Sequence, residues 1–449
     1  MARSARAQEE IRRFLDIGAV QVAELDLDGD EAVLRPGPGS PPVTHGEVFV
    51  LVRRGGRPVG TLLGRVPEGA DARVVLAERA RAECAPLPAA RADAGEPSAP
   101  GEPPYTSVVV ATRERAGQLA RALDSLLAQD HPRFEIVVVD NAPVTDETRE
   151  LVERKYAERV RYVCERVPGL AVAHNAGLAA AGGEVVAFTD DDVVADPRWL
   201  TELTAPFAAD AGLGCVTGLI LPARLTTPAQ VLLESHGGFA KGFTPRMYDP
   251  ARPPGDEPLF PFTAGRFGSG ANMAFRTAVL RSVGGFDPAT GAGTAARGGD
   301  DLYGFVRVLA QGHRLRYTPS ALVWHHHRET WQDLETQAYG YGAGLTAYLT
   351  AVLVNRPVLL PAFLARLPRG LAHARTLTAV RETEGGGAPG DHDVRTHPWP
   401  RRLSRLQRRG MLYGPLGYVR ARRALRATVR ATARATARGT VRGTVRGAR

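Results

Sequence analysis

The hydrophobic pattern of this chain changes period along its length, and each period predicts a different element. Val48, Val50 and Val52 alternate with other residues before Gly55-Gly56, and Val59-Gly60-Thr61-Leu62-Leu63 follows, so residues 46–66 predict a hairpin. Short helices are expected on either side of it, at 6–16 and 72–83. Residues 1–84 therefore read as a small α+β domain without a catalytic grouping, suited to a structural or docking role. Six prolines then fall within 85–104, a composition that predicts an exposed linker. Beyond it, short apolar runs at 106–111, 134–139, 160–164 and 184–189 alternate with helical stretches. The first of these, 116–129, sets Leu119, Leu123, Leu126 and Leu127 on one face. Such alternation predicts βαβ units: an α/β, mostly parallel, Rossmann-like sheet with helices on both faces, spanning 105–335.

The carboxyl-terminal pattern differs again. Residues 339–367 are apolar but broken by Arg356 and prolines, too short to span a bilayer yet apolar enough to pack on the α/β domain or lie at an interface. A helical, partly apolar region at 336–419 follows from this. From Arg426 to Arg446 an arginine recurs every fourth residue, with Gly439, Gly443 and Gly447 weakening helix formation, so 420–449 is expected to be a disordered tail.

Charge changes the picture less than its total suggests. The formal net charge is +9, but residues 420–449 hold ten arginines and no acid, and subtracting those leaves −1 for residues 1–419. A nucleic-acid partner is not indicated, whereas the tail could approach anionic lipid headgroups. Three widely spaced cysteines, Cys84, Cys164 and Cys215, suit neither a disulfide framework nor a zinc knuckle. With no signal-like leader, the expected setting is cytoplasmic, with peripheral contact at the inner face of the plasma membrane.

Candidate chemistry begins where two predicted strands end in acids, at Asp140-Asn141 and at Asp190-Asp191-Asp192. Ligands of parallel sheets bind beyond the carboxyl ends of the strands. Three adjacent carboxylates repel one another unless a cation or several donors hold them. A divalent ion bridging to a substrate phosphate is one such partner; a strand-end turn with an Asp helix cap is the plainer alternative. The run His325-His326-His327 cannot converge on one ion from a strand, because successive side chains alternate faces; His325 or His327 is the candidate. Residues 221–267 lack periodicity and predict a lid or pocket wall, with His236, Phe239, Phe243 and Tyr248 available for stacking.

Taken in order, Thr112-Arg113, Asp140-Asn141, Pro168-Gly169-Leu170 with His174-Asn175-Ala176-Gly177, and Thr189-Asp190-Asp191-Asp192 resemble the family 2 glycosyltransferases of the GT-A fold. The resemblance continues through Gly268-Ser269-Gly270-Ala271-Asn272, Gly284-Gly285-Phe286-Asp287, Gly298-Gly299-Asp300-Asp301-Leu302 and Val323-Trp324-His325, covering about half the chain. It implies a nucleotide-sugar site at Thr112, Arg113, Asp140, Asn141, Gly169, Asn175, Asp190 and Asp191. It also implies a Mn²⁺ or Mg²⁺ site at Asp190, Asp192 and His325, and acceptor contacts at Gly270 and Asn272. The Asp300-Asp301 pair stands where the family usually has Glu-Asp, which makes Asp301 the expected general base, with Asp300 as its rival. Inverting transfer of one sugar to a glycan, lipid-linked or small-molecule acceptor is the implied activity. Processive synthases of this family usually carry a Gln-x-x-Arg-Trp motif and membrane spans, and the sequence shows neither. The alternatives are a metal-dependent nucleotidyltransferase, whose Gly-rich loop after the first strand is missing at residues 112–117, and an inactive glycan-binding module, which would have lost these acids.

Overall fold

The computed structural model of the chain describes residues 17–29, 31–84, 102–236, 238–369 and 399–446. The helix expected at 6–16 and most of the linker at 85–104 lie outside these residues. The amino-terminal sheet has the order β2-β1-β3-β4, from β1 (Gln21–Asp26), β2 (Val33–Pro36), β3 (Gly46–Arg54) and β4 (Arg57–Val66). The hairpin between β3 and β4 turns on Gly55 and Gly56, both at positive φ, as a two-residue turn with the twist of its strands requires. Helix α1 (Ala72–Glu83) starts at Asp71, whose carboxylate accepts from the Arg73 and Val74 N–H groups.

The central sheet has nine strands and mixed direction: β5 (Thr106–Thr112), β6 (Phe134–Asn141), β7 (Val160–Glu165), β8 (Val185–Asp190), β9 (Val193–Ala195), β10 (Leu213–Pro222), β11 (Arg246–Tyr248), β12 (Asn272–Arg276) and β13 (Arg314–His325). Its order is β11-β13-β10-β12-β8-β5-β6-β7, with β9 pairing against β13. The half from β8 to β7 is parallel, as the alternating pattern predicts. In the other half β12 runs antiparallel between β8 and β10, a return strand that no helical crossover announces in the sequence.

Both faces of the sheet are covered. Helix α2 (Ala116–Leu127) buries Leu119, Leu123 and Leu126 on the face formed by Val108, Val110 and Val138. Each such leucine contributes about 1.5–3 kcal/mol when fully buried. Helix α3 (Leu170–Ala180) covers the opposite face, and a Cβ at Gly177 would fall 2.3 Å from Val109 Cγ1, so that close approach requires glycine. Helices α4 (Trp199–Ala209), α5 (Pro228–Ser235) and α6 (Asp300–Ala310) also belong to this domain. The amino-terminal sheet docks on it through Val22, Phe49 and Leu51 against Leu219, Leu221 and Trp324. Arg53 bridges this contact, donating to Glu24 at 2.7 Å and to Asp196 at 2.5 Å.

The carboxyl-terminal region is helical. Helix α7 (Trp331–Asn355) buries Leu334, Ala338, Ala347, Tyr348 and Val352, which favours packing over an interfacial position for that part of residues 339–367. Helix α8 (Arg401–Arg446) includes the stretch expected to be disordered. Alanine and arginine favour helix strongly, and the segment grows from a first half anchored at Leu403, Tyr418 and Ala421, which offsets its glycines. The two helices touch backbone to backbone: a Cβ at Gly342 would lie 1.9 Å from Gln407 O, and one at Gly410 2.1 Å from Tyr339 O. Among the described residues no single helix is long and apolar enough to cross a membrane.

Candidate functional site

Strand register gathers the expected residues at one rim of the sheet. Thr112 stands beside Asp140 on β6, and Ala111 beside Asp190 on β8. His325 at the end of β13 pairs with Val193, and His326 N–H donates to Asp192 O at 2.9 Å, which ties the histidine strand to the acid turn. A cavity of about 370 Å³ opens there, lined by Thr112, Arg113, Arg115, Asn141, the three acids Asp190, Asp191 and Asp192, Ala292, Gly293, His325 and Arg328. A second, of about 390 Å³, is lined among others by Phe239, Lys241, Ser269, Gly270, Asp300, Asp301, Tyr341, Leu345 and Gln407. Leu170, Asp190 and Ala292 line both.

The three acids have distinct surroundings. Asp191 is held by the Thr112 hydroxyl at 2.7 Å and by Arg115 at 3.1 Å, yet burial still raises its pKa. Asp190 lies well above the usual carboxylate range, first through burial and then through repulsion from Asp192 and Asp191. Asp192 meets Arg115 through Oδ2 at 3.3 Å, while its buried Oδ1 has no hydrogen-bond partner. His325 Nε2 lies 3.3 Å from that oxygen, and burial keeps the imidazole well below its ordinary pKa, hence neutral. One ligand atom from each of Asp190, Asp192 and His325 lies within 4.8 Å of the others. Two carboxylates, one of them with an orphaned oxygen, and a neutral imidazole grouped this closely fit a hard divalent cation such as Mn²⁺ or Mg²⁺.

The second cavity holds the candidate base. Asp301 accepts from Gly270 N–H at 2.9 Å and from Leu302 N–H at 2.8 Å. Burial, and next the neighbouring Asp300, push its carboxyl up to about 6 against those two hydrogen bonds. Asp300 is buried beneath it, with Oδ2 3.0 Å from His174 Nδ1 but without hydrogen-bond alignment. Both belong to the first turn of α6, reached through Gly298 and Gly299 at positive φ, and α7 presses Gly344 onto that loop.

Several expected contacts lie elsewhere. Asn175 is not at the first cavity: its amide donates to Phe286 O and accepts from Phe286 N–H, fastening α3 to the loop at 284–287. Asn272 is buried under the second cavity, with its amide engaged by Trp199 Nε1, Leu219 O and Ala321 O, so it braces three strands and leaves no polar atom for a ligand. Asp140 sits below the rim, accepting from the Tyr162 hydroxyl at 2.8 Å. Gly169 meets Asn141 Oδ1 through its N–H, and Leu170 rather than Gly169 reaches both cavities. Of the aromatic residues proposed for stacking, Phe239 alone among the four lines the second cavity; His236 packs on Trp399 and Tyr248 on Phe267. Arg115 and Arg328 were not foreseen, because nothing in their spacing separates them from the other arginines.

Residues 107–283 match the family model described as Glycosyl transferase family 2. Over 274 residues, 61% of this chain, the sequence is 28% identical to the pre-mycofactocin glycosyltransferase of Mycobacterium tuberculosis. It is 37% identical over 132 residues, 27% of the chain, to the validoxylamine A glucosyltransferase of Streptomyces hygroscopicus subsp. jinggangensis. An uncharacterized glycosyltransferase of Nostoc sp. is 36% identical over 111 residues, 24% of the chain. These matches span 53%, 31% and 34% of the relatives' own lengths, so the chain covers about half or less of each. Among solved structures, a mannosyltransferase from Pyrobaculum calidifontis in complex with GDP-Man and Mn²⁺ aligns with a TM-score of 0.46 and 22% identity, over 71% of this chain and 89% of that one. The match to glycosyl transferase family 2 thus lies in residues 107–283, the stretch that carries the strands ending in Asp140-Asn141 and Asp190.

Proposed function

We propose that the protein transfers a single sugar, with inversion, from a nucleotide-sugar to a hydroxyl of an acceptor. The observation that carries this reading is the meeting of the two cavities at Asp190, with the cation-binding set Asp190, Asp192 and His325 in one and Asp301 in the other. The first cavity takes the nucleotide diphosphate, with Thr112, Arg113 and Asn141 toward the nucleoside and Arg115 and Arg328 adding positive charge near the phosphates. When bound, Mn²⁺ or Mg²⁺ supplies charge stabilisation to the departing diphosphate.

The second cavity holds the acceptor. Asp301, oriented by Gly270 and Leu302, takes the hydroxyl proton as the oxygen bonds to the anomeric carbon. The bond from that carbon to the diphosphate breaks on the opposite face. The nucleoside diphosphate leaves with the bonding electron pair. Phe239 and Tyr341 give this cavity aromatic walls suited to sugar or ring-bearing acceptors, while Gly270 offers backbone and no side chain. A donor screen for nucleotide release across UDP-, GDP- and dTDP-sugars with Mn²⁺, repeated on Asp192→Ala, tests the assignment; metal-independent release unaffected by that substitution would refute it.

A membrane-surface setting, cytoplasmic side, has its own supporting observation. Leu412, Leu416 and Val419 form an exposed row on α8, with Arg405 and Arg409 before it and Arg423 and Arg426 after it. This helix contains fourteen arginines and no acid. An apolar row between cationic ends suits an anionic bilayer surface, where lipid-linked acceptors would be met.

A further inference from the structure

The segment that interrupts the regular pattern, residues 221–267, reaches the cation site through a contact that no motif records. Glu234 on α5 places Oε2 3.1 Å from His327 Nε2. His327 Nδ1 in turn lies 3.1 Å from His325 Nδ1, and His325 Nε2 faces the orphaned Asp192 Oδ1. All four side chains are at least nearly buried, and the Phe239 ring packs on both imidazoles, with centroids 5.1 Å and 5.4 Å away.

Between the two Nδ1 atoms one proton can be shared, and the ends of the chain decide which ring carries it. If His327 bore its proton on Nδ1, its bare Nε2 would face the Glu234 carboxylate, two acceptors at hydrogen-bond distance in a buried site. That arrangement leaves both polar groups unsatisfied, with no cation position beside them to relieve it. With a cation between His325 Nε2 and Asp192 Oδ1, the opposite order satisfies every contact: Nε2–H of His327 donates to Glu234, and Nδ1–H of His325 donates to the bare Nδ1 of His327. His325 then has its Nε2 lone pair directed at Asp192 and the cation position.

We propose that Glu234 and His327 are positioning residues that lock His325 in its Nδ1–H tautomer and so ready its Nε2 for the divalent cation. This rests on the reading of Asp190, Asp192 and His325 as the cation site. His327, from its sequence position an alternative ligand, thereby becomes the support of the ligand. The helix that delivers Glu234 is fixed for the task. Thr227 and Gln230 form a capping box at its start, and Gln230 Nε2 donates to His327 O at 3.3 Å, so α5 is attached to the histidine strand at two points.

The test uses the full-length chain labelled with ¹⁵N-histidine and long-range ¹H–¹⁵N correlation in the presence of saturating Mg²⁺, which is diamagnetic. His325 is expected as the Nδ1–H tautomer and His327 as Nε2–H; the reverse pair overturns the proposal without any substitution. Glu234→Leu and His327→Phe are then titrated with Mn²⁺ alone, followed by electron paramagnetic resonance of the free ion. Each is expected to weaken binding about 10- to 100-fold and to return His325 to a mixture of tautomers. Unchanged Mn²⁺ affinity in both variants, with Asp192→Ala abolishing binding, overturns the relay while leaving the cation site standing. If Asp192→Ala also leaves Mn²⁺ binding unchanged, the cation site itself is wrong.

Discussion

Replacing Asp301 with asparagine is the sharpest perturbation of the proposed chemistry, because it removes a proton acceptor and almost nothing else. The two carboxylate oxygens of Asp301 each take a backbone N–H, from Gly270 and Leu302. An amide has one oxygen, so one of these N–H groups loses its acceptor, a cost of about 1–3 kcal/mol in stability. Transfer should fall much further, by about 10²- to 10⁴-fold, since general-base assistance is lost. That range equals about 2.7–5.5 kcal/mol of barrier. Donor affinity should not move, because Asp301 lines the second cavity and not the first. The native enzyme should also lose turnover in acid: with the Asp301 carboxyl at about 6, roughly a tenth of the base is ionised at pH 5 and nearly all at pH 7.5. The assay is nucleotide release at saturating donor, with Mn²⁺ and an accepting sugar, across pH 5–8.5. Full transfer by Asp301→Asn, or loss of donor affinity equal to the loss of rate, would refute the assignment.

The remaining predictions concern the cation, the helix pair and the outer surface. Burial raises the pKa of Asp190 and Asp191, so their ionisation opposes folding: the metal-free protein keeps full stability below about pH 4 from these groups and loses it as pH rises through the raised values. Mn²⁺ with a nucleoside diphosphate should therefore raise Tm more at pH 8 than at pH 5 by differential scanning fluorimetry, and an equal or smaller rise at pH 8 would contradict this. Gly410→Val would press a branched side chain into Tyr339 O and should destabilise the fold by about 1–3 kcal/mol or more in chemical denaturation; a neutral effect would mean the helices are not in backbone contact. Leu412→Glu with Leu416→Glu should reduce cosedimentation with vesicles rich in phosphatidylglycerol, as should deletion of 420–449, without altering turnover on a soluble acceptor. Binding that persists in both variants would remove the membrane assignment.

The parallel half of the sheet was legible because its strands are buried on both faces and read as apolar runs, and because their ends carry acids. Asp140-Asn141 and Asp190-Asp191-Asp192 are thus expected along one edge from the strand ends, and Thr112 from the family resemblance; Asp140 alone of these sits below the rim. What could not be read depends on contacts across long sequence distances. Asn175 and Asn272 resemble ligand residues in sequence, and only their backbone partners, at Phe286, Leu219 and Ala321, show that they serve the scaffold. Glu234 lies in an irregular stretch and meets His327 solely through the fold. The tail expected to be disordered continues α8 as far as Arg446: glycine counts against helix locally, whereas an anchored neighbour nucleates it.

The glycine contacts joining α7 to both α8 and the loop before Asp300 bear on how far this chain could be shortened. Gly344 abuts Gly298 and Gly299, and on another side of the same helix Gly342 abuts Gln407. A fragment ending at residue 335, where the sequence pattern alone would place the cut, would remove the wall behind the acidic pair together with Tyr341, Leu345 and Gln407 of the second cavity. The smallest working unit should extend to about Ala421, with the arginine-rich remainder dispensable for chemistry.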